Sequence, residues 1–145
     1  MPSRNATTHW TGGISKGSGQ VTLDSSNAGQ YDVSFPTRSG DPDGQTSPEE
    51  LIAAAHSSCL AMNLSGVLEK EGLEPSSIDV SAEVTLGPAQ GGGFEISGID
   101  ITLRAQVDGV EPDKFADLAS TAEKTCPVSK ALAGTTITLD AALES

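Results

Sequence analysis

The longest stretch of the chain without a charged residue lies near its middle, from Leu51 to Leu68. Ser47 suits a helix N-cap and Pro48 suits the first helical position, while an acidic residue three positions after the cap completes a capping box. Gly72 is a typical helix terminator. The pattern predicts a helix over 48–71. Because this helix lacks the polar stripe of a surface helix and is rich in small residues, we expect it to be buried on most sides, with another backbone close by.

Alternation of apolar and polar residues on both sides of this helix predicts β-strands, with glycine-rich turns between them. Proline at a first helical position and apolar residues at helical spacing predict two further helices. We therefore expect an α+β fold with antiparallel sheets wrapped around central helices. The predicted strands are Thr7–Thr11, Gln20–Asp24, Tyr31–Phe35, Ile78–Leu86, Phe94–Val107 and Thr135–Leu143, and the further helices are Pro112–Thr125 and Pro127–Ala133.

The composition limits the classes of function. A length of 145 residues predicts one domain, 1–145, that is large enough to bury a core. A net charge of −12 argues against nucleic-acid partners and anionic membrane surfaces. The uncharged run contains several polar residues and is a poor membrane span, and no targeting segment precedes it. A cytoplasmic location is the expectation, in which two cysteines are more often free, metal-bound or redox-active than structurally bridged.

The two cysteines lie in different local contexts. Cys59 is near the midpoint of the long helix, where it is either a small core residue or a reactive thiol. Cys126 precedes Pro127 and therefore takes the N-cap of the last short helix, where unpaired N–H groups lower the pKa of a thiol. The alternative is that Cys126 is an ordinary loop cysteine. Their separation of 67 residues excludes a Cys-x-x-Cys redox motif (126 − 59 = 67).

The histidines leave further alternatives open. His56 lies three residues before Cys59, so it is either a base for that thiol or a hydrogen-bonded group within a packed interface. His9 and Cys126 would complete a four-ligand zinc set with them, although the paired short spacings of zinc sites are missing. Arg38 is the single basic residue between Lys16 and Lys70. It is either a solvated salt-bridge partner or a group that stabilises a thiolate and binds a substrate oxygen.

Several segments, from His9-Trp10 to the last strand, resemble the OsmC/Ohr family of hydroperoxide reductases. The Ala-Ala-His56-Ser-Ser-Cys59 form together with His9-Trp10 is more similar to the OsmC branch than to the Ohr branch. The resemblance covers nearly the whole chain, and two cysteines in separate contexts make it specific. The segments that carry it are Ser47–Ser65, Cys126–Lys130, Phe35–Arg38 and Ser77–Leu86.

The resemblance implies a fold, a reaction and a set of site residues. The fold would be an OsmC-like intertwined homodimer. Cys59 would attack an organic hydroperoxide and become a sulfenic acid, and Cys126 would resolve it to a disulfide that a dithiol, of the lipoyl type in this family, then reduces. Arg38 would be the thiolate partner and Glu49 would hold Arg38 in place. No haem, flavin or metal would be required.

Helix arithmetic adds one inference. Glu49 and Cys59 are ten residues apart, or about 15 Å along a straight helix. Their side chains therefore meet only if the helix is broken or if Arg38 and Glu49 come from a second subunit. The second case predicts a homodimer with two composite sites.

The expected reaction has a competitor from another class. Ile52, Ala55, Leu60 and Met62 form an apolar neighbourhood that would favour organic hydroperoxides over hydrogen peroxide. A non-catalytic stress or ligand-binding module would use the same apolar cavity. The two readings differ in whether a hydroperoxide consumes the thiols.

Overall fold

A computed structural model describes residues 1–144. The chain divides into two compact units, Met1–Leu51 and a second that begins at Ile52. The prediction of one domain remains a prediction.

The first unit contains a three-stranded antiparallel sheet and a short helix. Strands β1 (Thr7–Thr11), β2 (Ser18–Thr22) and β3 (Gln30–Val33) pair in that order. Strand β1 has the predicted bounds, whereas β2 begins and ends two residues earlier than predicted. Helix α1 (Phe35–Ser39) has no predicted counterpart.

The end of the third predicted strand is wrong because Ser34 caps α1. Its Oγ accepts a hydrogen bond from the Thr37 N–H at 3.4 Å. Pro36 lies in the first turn, where a missing N–H costs nothing. The cap turns the chain out of the strand after Val33, so Arg38 lies in the last turn of α1.

The long helix α2 (Pro48–Lys70) has the predicted bounds within one residue. The Ser47 Oγ accepts from the Glu50 N–H at 3.1 Å, which confirms the predicted N-cap. Gly72 has a φ of 73°, and the N–H of Leu73 donates to the carbonyl of Leu68 at 3.0 Å. This left-handed turn satisfies carbonyls at the helix end and confirms Gly72 as the terminator.

The second unit places three strands and two helices after α2. Strands β4 (Pro75–Pro88), β5 (Phe94–Val107) and β6 (Ile137–Leu143) form one sheet in that order. Helices α3 (Pro112–Thr125) and α4 (Pro127–Ala131) connect β5 to β6. This helical crossover lets β6 run parallel to β5, so the prediction of purely antiparallel sheets is wrong for this pair.

The core of the second unit lies between one face of the sheet and the helices. Alternate residues of β5 are buried, as predicted, because the other face of the strand is polar. The apolar residues at helical spacing that predict α3 are buried. The core residues are Leu60, Leu64, Leu68, Ile99, Ile101, Leu103, Ala105, Val107, Phe115, Leu118, Ala119, Ala122 and Cys126.

Helix α2 is buried along one face within this chain, not on most sides as predicted. His56, Leu60, Leu64 and Leu68, each four residues after the last, have no exposed surface. Met62 keeps 70% of its surface exposed. Within residues 1–144, α2 is therefore an apolar helix with one face left uncovered.

Candidate active site

The two cysteines come together in the second unit. Cys59 lies on α2, and Cys126 is both the C-cap of α3 and the N-cap of α4. Their Sγ atoms lie 3.1 Å apart, within hydrogen-bond distance, and both thiols are free. Cys126 has no exposed surface, whereas Cys59 is partly exposed. A reagent from solvent therefore reaches Cys59 first, and Cys126 reacts most readily with Cys59 itself.

Asn63 fixes the end of α3 against α2. It lies one turn after Cys59, and its Nδ2 donates to the Ala122 carbonyl at 2.6 Å and to the Thr125 Oγ1 at 2.9 Å. Because Cys126 directly follows Thr125, these two bonds hold the second thiol over the face of α2 that carries the first.

His56 fixes α4 in a similar way from the turn before Cys59. Its imidazole has no exposed surface, and its Nε2 lies 2.7 Å from the Oγ of Ser129, which is 5% exposed. The prediction left open whether His56 is a base for Cys59 or a hydrogen-bonded packing group, and the described contact is the second. We call Cys59, Cys126, His56, Ser129 and Asn63 the thiol cluster.

The surroundings shift the pKa values of the two thiols in opposite directions. Burial raises the pKa of Cys59, the Val128 N–H lowers it by a smaller amount, and the adjacent Cys126 sulfur raises it, so that the pKa is raised overall. Burial also acts to raise the pKa of Cys126, but hydrogen bonds from the Ser129 N–H, the Cys59 thiol, the Ser129 hydroxyl and the Val128 N–H lower it overall. Of the two thiols, Cys126 is therefore the one that loses its proton more readily when no further charge is present.

The N-cap position of Cys126 explains most of this asymmetry. As predicted from Pro127, the sulfur faces the first N–H groups of α4. In this structure the neutral thiol makes no capping hydrogen bond of normal geometry. The N–H groups therefore act on the thiolate, which accepts hydrogen bonds far better than a thiol.

Arg38 and Glu49 form a bidentate ion pair in the first unit. Nη2 of Arg38 lies 2.7 Å from Oε1 of Glu49, and Nε lies 3.1 Å from each carboxylate oxygen. The Glu49 side chain is 8% exposed and that of Arg38 is 35% exposed. Burial alone would raise the pKa of Glu49, but the hydrogen bonds from Arg38 and the backbone, with the Arg38 charge, lower it. The hydrogen bond and the charge of Glu49 raise the pKa of Arg38 further.

The guanidinium of Arg38 has N–H groups that Glu49 does not occupy. Glu49 occupies Nε and Nη2, so Nη1 has no partner among residues 1–144. A pre-oriented guanidinium with unused N–H groups suits the oxygens of an additional ligand.

An apolar cavity of about 180 Å³ opens beside this arginine. Trp10, Ile14, Val33 and Phe35 supply most of its wall. The indole N–H of Trp10 donates to the Gly12 carbonyl at 2.8 Å, which fixes the orientation of the ring. The apolar surface next to a cation thus comes from residues 10–35. Leu60 of the apolar neighbourhood predicted on α2 lies in the core, and the role of that neighbourhood stays a prediction.

The zinc alternative has no support in the described part of the chain. Within residues 1–144, no three histidine, cysteine, aspartate or glutamate side chains are grouped so as to hold a metal ion. His9 is exposed on β1 in the first unit.

Helix α2 is continuous from Pro48 to Lys70. A break between Glu49 and Cys59 is therefore not available as a way of bringing these side chains together.

Two members of the thiol cluster, Asn63 and Ser129, are not predicted from the sequence. Asn63 sits at helical spacing from Cys59 (i, i+4), which was the available signal, but its partner on α3 is 59 residues away (122 − 63 = 59). Ser129 falls at the third position of α4, yet nothing local to it points to His56, 73 residues earlier in the chain. Both depend on how α3 and α4 pack on α2.

The chain is similar to characterised proteins along nearly its full length. It is 39% identical over 137 residues to the protein named Peroxiredoxin OsmC of Escherichia coli strain K12, a match that covers 94% of each chain. The same comparison supports the OsmC branch.

Solved structures of organic hydroperoxide resistance proteins have the same fold. That of Elizabethkingia anophelis is 28% identical with a TM-score of 0.77, over 99% of this chain and 98% of that one. OhrB of Bacillus subtilis is 26% identical with a TM-score of 0.70, over 97% and 98% of the two chains. The family model described as OsmC-like protein matches residues 40–140, well over half of the sequence. The chain therefore belongs to the OsmC-like protein family.

Proposed function

We propose that the protein reduces organic hydroperoxides to alcohols through a Cys59 sulfenic acid and a Cys59–Cys126 disulfide, which a dithiol of the lipoyl type reduces. The observation that carries this proposal is the pair of free sulfurs 3.1 Å apart, of which one is partly exposed and the other enclosed. That arrangement separates a thiol that meets the substrate from a thiol that meets only its neighbour.

The class of activity follows from the family. The protein is a peroxidase of the OsmC type and an enzyme, because it is 39% identical to a peroxiredoxin over 94% of the chain and shares its fold with an organic hydroperoxide resistance protein. A peroxidase of this type requires a hydroperoxide substrate and a reductant.

The chemical steps use one oxidant and one reductant. The Cys59 thiolate attacks the terminal oxygen of the hydroperoxide, the O–O bond breaks, and the alkoxide takes a proton and leaves as the alcohol. The Cys126 thiolate then attacks the Cys59 sulfur, the S–O bond breaks, and hydroxide leaves as water after protonation. The dithiol finally takes up the disulfide bond and returns both cysteines to thiols.

Arg38 is proposed as the group that stabilises the Cys59 thiolate and the leaving oxygen, with Glu49 orienting it. Burial and Cys126 raise the pKa of Cys59, so the reaction needs a cation that offsets both. Arg38 carries a permanent charge, a fixed orientation and unused N–H groups. The cavity beside it would take the organic tail of the substrate, which favours organic over hydrogen peroxide.

A homodimer is proposed as the assembly that brings these groups to Cys59. The continuous α2 keeps Glu49 about 15 Å from Cys59 along its axis, so Arg38 and Glu49 would come from the partner. The uncovered apolar face of α2 supports this, since an exposed apolar patch commonly marks an interface. By length and composition alone α2 is apolar enough to cross a membrane. Similarity to a peroxiredoxin over 94% of the chain instead favours a soluble protein, for which we propose a cytoplasmic location.

Counting thiols tests this function. Adding cumene hydroperoxide to the reduced protein should remove both thiols of each chain stoichiometrically, and dihydrolipoamide should restore them. Cys59→Ser should abolish turnover. Cys126→Ser should allow one oxidation event for each chain and then block cycling with dithiols.

The same assay separates the alternatives. Thiols that survive an excess of hydroperoxide would refute the peroxidase and favour a non-catalytic ligand-binding module. Unimpaired multiple turnover in Cys126→Ser would refute the resolving role alone.

A further inference from the structure

His56 is a buried titratable group that the proposed reaction does not use. It has no exposed surface, and it lies one turn before Cys59 on the face of α2 that meets α4. Its side chain forms a hydrogen bond, at 2.7 Å, with Ser129, which is itself buried. A polar pair of this kind in an otherwise apolar core requires a reason, because burying polar groups is costly unless their hydrogen bonds are made.

The contact has a defined direction. Nδ1 of His56 has no hydrogen-bond partner among residues 1–144. Burial lowers the pKa of His56 more than the charge of Glu123 raises it, so the imidazole carries one proton at neutral pH. Orphaned N–H donors are rarer in protein interiors than orphaned acceptors. The proton therefore belongs on Nε2, which donates to the Ser129 oxygen.

The hydrogen bond from His56 fixes the orientation of the Ser129 hydroxyl. Its oxygen accepts from His56, so its own proton is free to point to another acceptor. Cys126 is the N-cap of the same short helix, three residues before the buried Ser129, and a hydrogen bond from the Ser129 hydroxyl is among those that lower the pKa of Cys126. Its sulfur is therefore that acceptor. A donor whose oxygen accepts a hydrogen bond is polarised and donates more strongly.

The fold makes this arrangement local to one turn. Ser129 is three residues after Cys126, in the first turn of α4, and is the buried residue of that helix. His56 and Cys59 are three residues apart on α2. The two helices thus present two matched pairs, sulfur to sulfur and imidazole to hydroxyl, about one helical turn apart.

We infer that His56 and Ser129 are positioning residues of the second thiol: the imidazole orients the Ser129 hydroxyl, and that hydroxyl donates to the sulfur of Cys126 in the steps where Cys126 attacks and where it leaves. The inference rests on the proposed function for the order of those steps. The hydrogen bond between His56 and Ser129 does not depend on that function.

The reductive half of the cycle gains most from this chain. The dithiol's thiolate attacks the Cys59 sulfur, because Cys126 has no exposed surface. The new bond joins the dithiol to Cys59, the Cys59–Cys126 bond breaks, and Cys126 leaves with the electron pair as a thiolate. The second thiol of the dithiol then displaces Cys59, and the reductant leaves as its own disulfide. A leaving thiol of lower pKa leaves faster, so donors to Cys126 accelerate this reduction.

The first half of the cycle is expected to be indifferent to the pair. Cys59 attacks the peroxide oxygen, and its sulfur receives no hydrogen bond from His56 or Ser129. A residue that merely held the fold together would slow both halves alike. The split between the two rates therefore distinguishes positioning from a purely structural role.

The test uses a background with one thiol. Cys59→Ser leaves Cys126 as the remaining cysteine, so the ultraviolet absorbance of the thiolate reports this residue alone during a pH titration. Adding Ser129→Ala to this background should raise the midpoint by about one pH unit, the usual size of a lost hydrogen bond to a charged group. Ser129→Thr keeps a hydroxyl and should restore the midpoint. Ser97→Ala, which removes an exposed hydroxyl on β5, is the matched control and should not move it.

Rates in the two-cysteine protein complete the test. Ser129→Ala and His56→Leu should slow dithiol reduction of the disulfide about tenfold and leave Cys59 oxidation by cumene hydroperoxide within twofold of the parent rate. His56→Gln retains an N–H donor and should lose less. If His56→Leu fails to fold, the two Ser129 variants decide.

An unchanged midpoint in Ser129→Ala would overturn the inference, as would an equal loss in both half-reactions. Failure of the proposed function looks different, because the parent protein would then keep its thiols in the presence of hydroperoxide. The titration of Cys126 in the Cys59→Ser background would still report the hydrogen-bond chain.

Discussion

The thiol cluster and the Arg38–Glu49 pair solve opposite electrostatic problems. In the cluster, the groups that act on Cys59 are burial, a backbone N–H and a second thiol, and together they raise the pKa of Cys59. In the ion pair, a cation is held at 2.7 Å by a nearly buried carboxylate and is 35% exposed. The cluster has the nucleophile without a charge to ionise it, and the pair has a charge without a nucleophile.

This difference shows where each half of a peroxidase cycle is encoded. Disulfide formation needs two sulfurs held together, and residues 56–129 supply that geometry by themselves. Cleaving an O–O bond needs a thiolate and stabilisation of the departing oxygen, and residues 35–49 supply a group with that chemistry. The division is tested by asking whether both regions act on the sulfur of Cys59.

The largest expected effect is that of removing the cation. An ordinary thiol is roughly 3% ionised at pH 7, so complete ionisation gains about thirtyfold. Arg38→Ala should slow oxidation of Cys59 by more than this factor, measured by rapid mixing with cumene hydroperoxide, because stabilisation of the leaving oxygen is lost as well. Arg104→Ala removes an exposed ion pair with Asp140 and is the matched control. A loss of less than thirtyfold would mean that Arg38 does not act on the leaving oxygen.

Mixing two inactive variants sharpens this result. In an equal mixture of Cys59→Ser and Arg38→Ala chains that exchange subunits, about half of the dimers contain one chain of each kind. If the site is composite, each mixed dimer has one intact site of its two, so the mixture regains about a quarter of the parent activity. A site built within a single chain would regain none. Recovery to a quarter therefore identifies Arg38 as a residue donated by the partner.

The sequence predicts the helix ends and the core far better than it predicts these relationships. Capping by Ser47, termination by Gly72 and the buried face of α3 depend on neighbours within one or two turns, and the structure confirms them. Helix α1 was missed because the alternating pattern runs into a serine cap that ends the strand early. The parallel pairing of β6 was missed because strand direction depends on a crossover, which periodicity does not record.

In the site, too, the local features could be predicted from the sequence and the long-range contacts could not. Pro127 after Cys126 predicts a thiol of lowered pKa, and the direction of the shift agrees. His56 and Ser129 are 73 positions apart (129 − 56 = 73), and Asn63 is 59 positions from Ala122 at the end of α3 (122 − 63 = 59). No local sequence pattern predicts contacts over such separations. The extent of burial of α2 was overestimated because an uncharged sequence specifies an apolar surface without specifying which chain covers it.

An intermediate effect is expected from Asn63, which belongs to the thiol cluster alone. Asn63→Ala removes both hydrogen bonds to the end of α3 and should slow formation of the Cys59–Cys126 disulfide about tenfold, since an intramolecular reaction depends steeply on alignment. The rate at which cumene hydroperoxide consumes the first thiol should stay near the parent value. Mass spectrometry of quenched samples, which separates sulfenic acid from disulfide, measures both rates. Equal slowing of the two would assign Asn63 a general structural role.

The smallest expected effect concerns acid stability and isolates His56. Burial holds the pKa of His56 below its ordinary 6.5, so the folded protein prefers the neutral ring and the unfolded chain binds a proton first. This contribution to the free energy of unfolding is therefore complete above about pH 6.5 and is lost as the pH falls from there toward the folded-state pKa, with a slope of at most about 1.4 kcal/mol per pH unit. His56→Gln should flatten the slope between about pH 7 and 5.5, in urea unfolding at one fixed protein concentration. His9→Gln, at an exposed histidine on β1, is the matched control. The carboxylate of Glu49, with its lowered pKa, gives up its contribution only at more acid pH. A slope above pH 5.5 that is as steep in His56→Gln as in the parent would mean that His56 takes up no proton on unfolding.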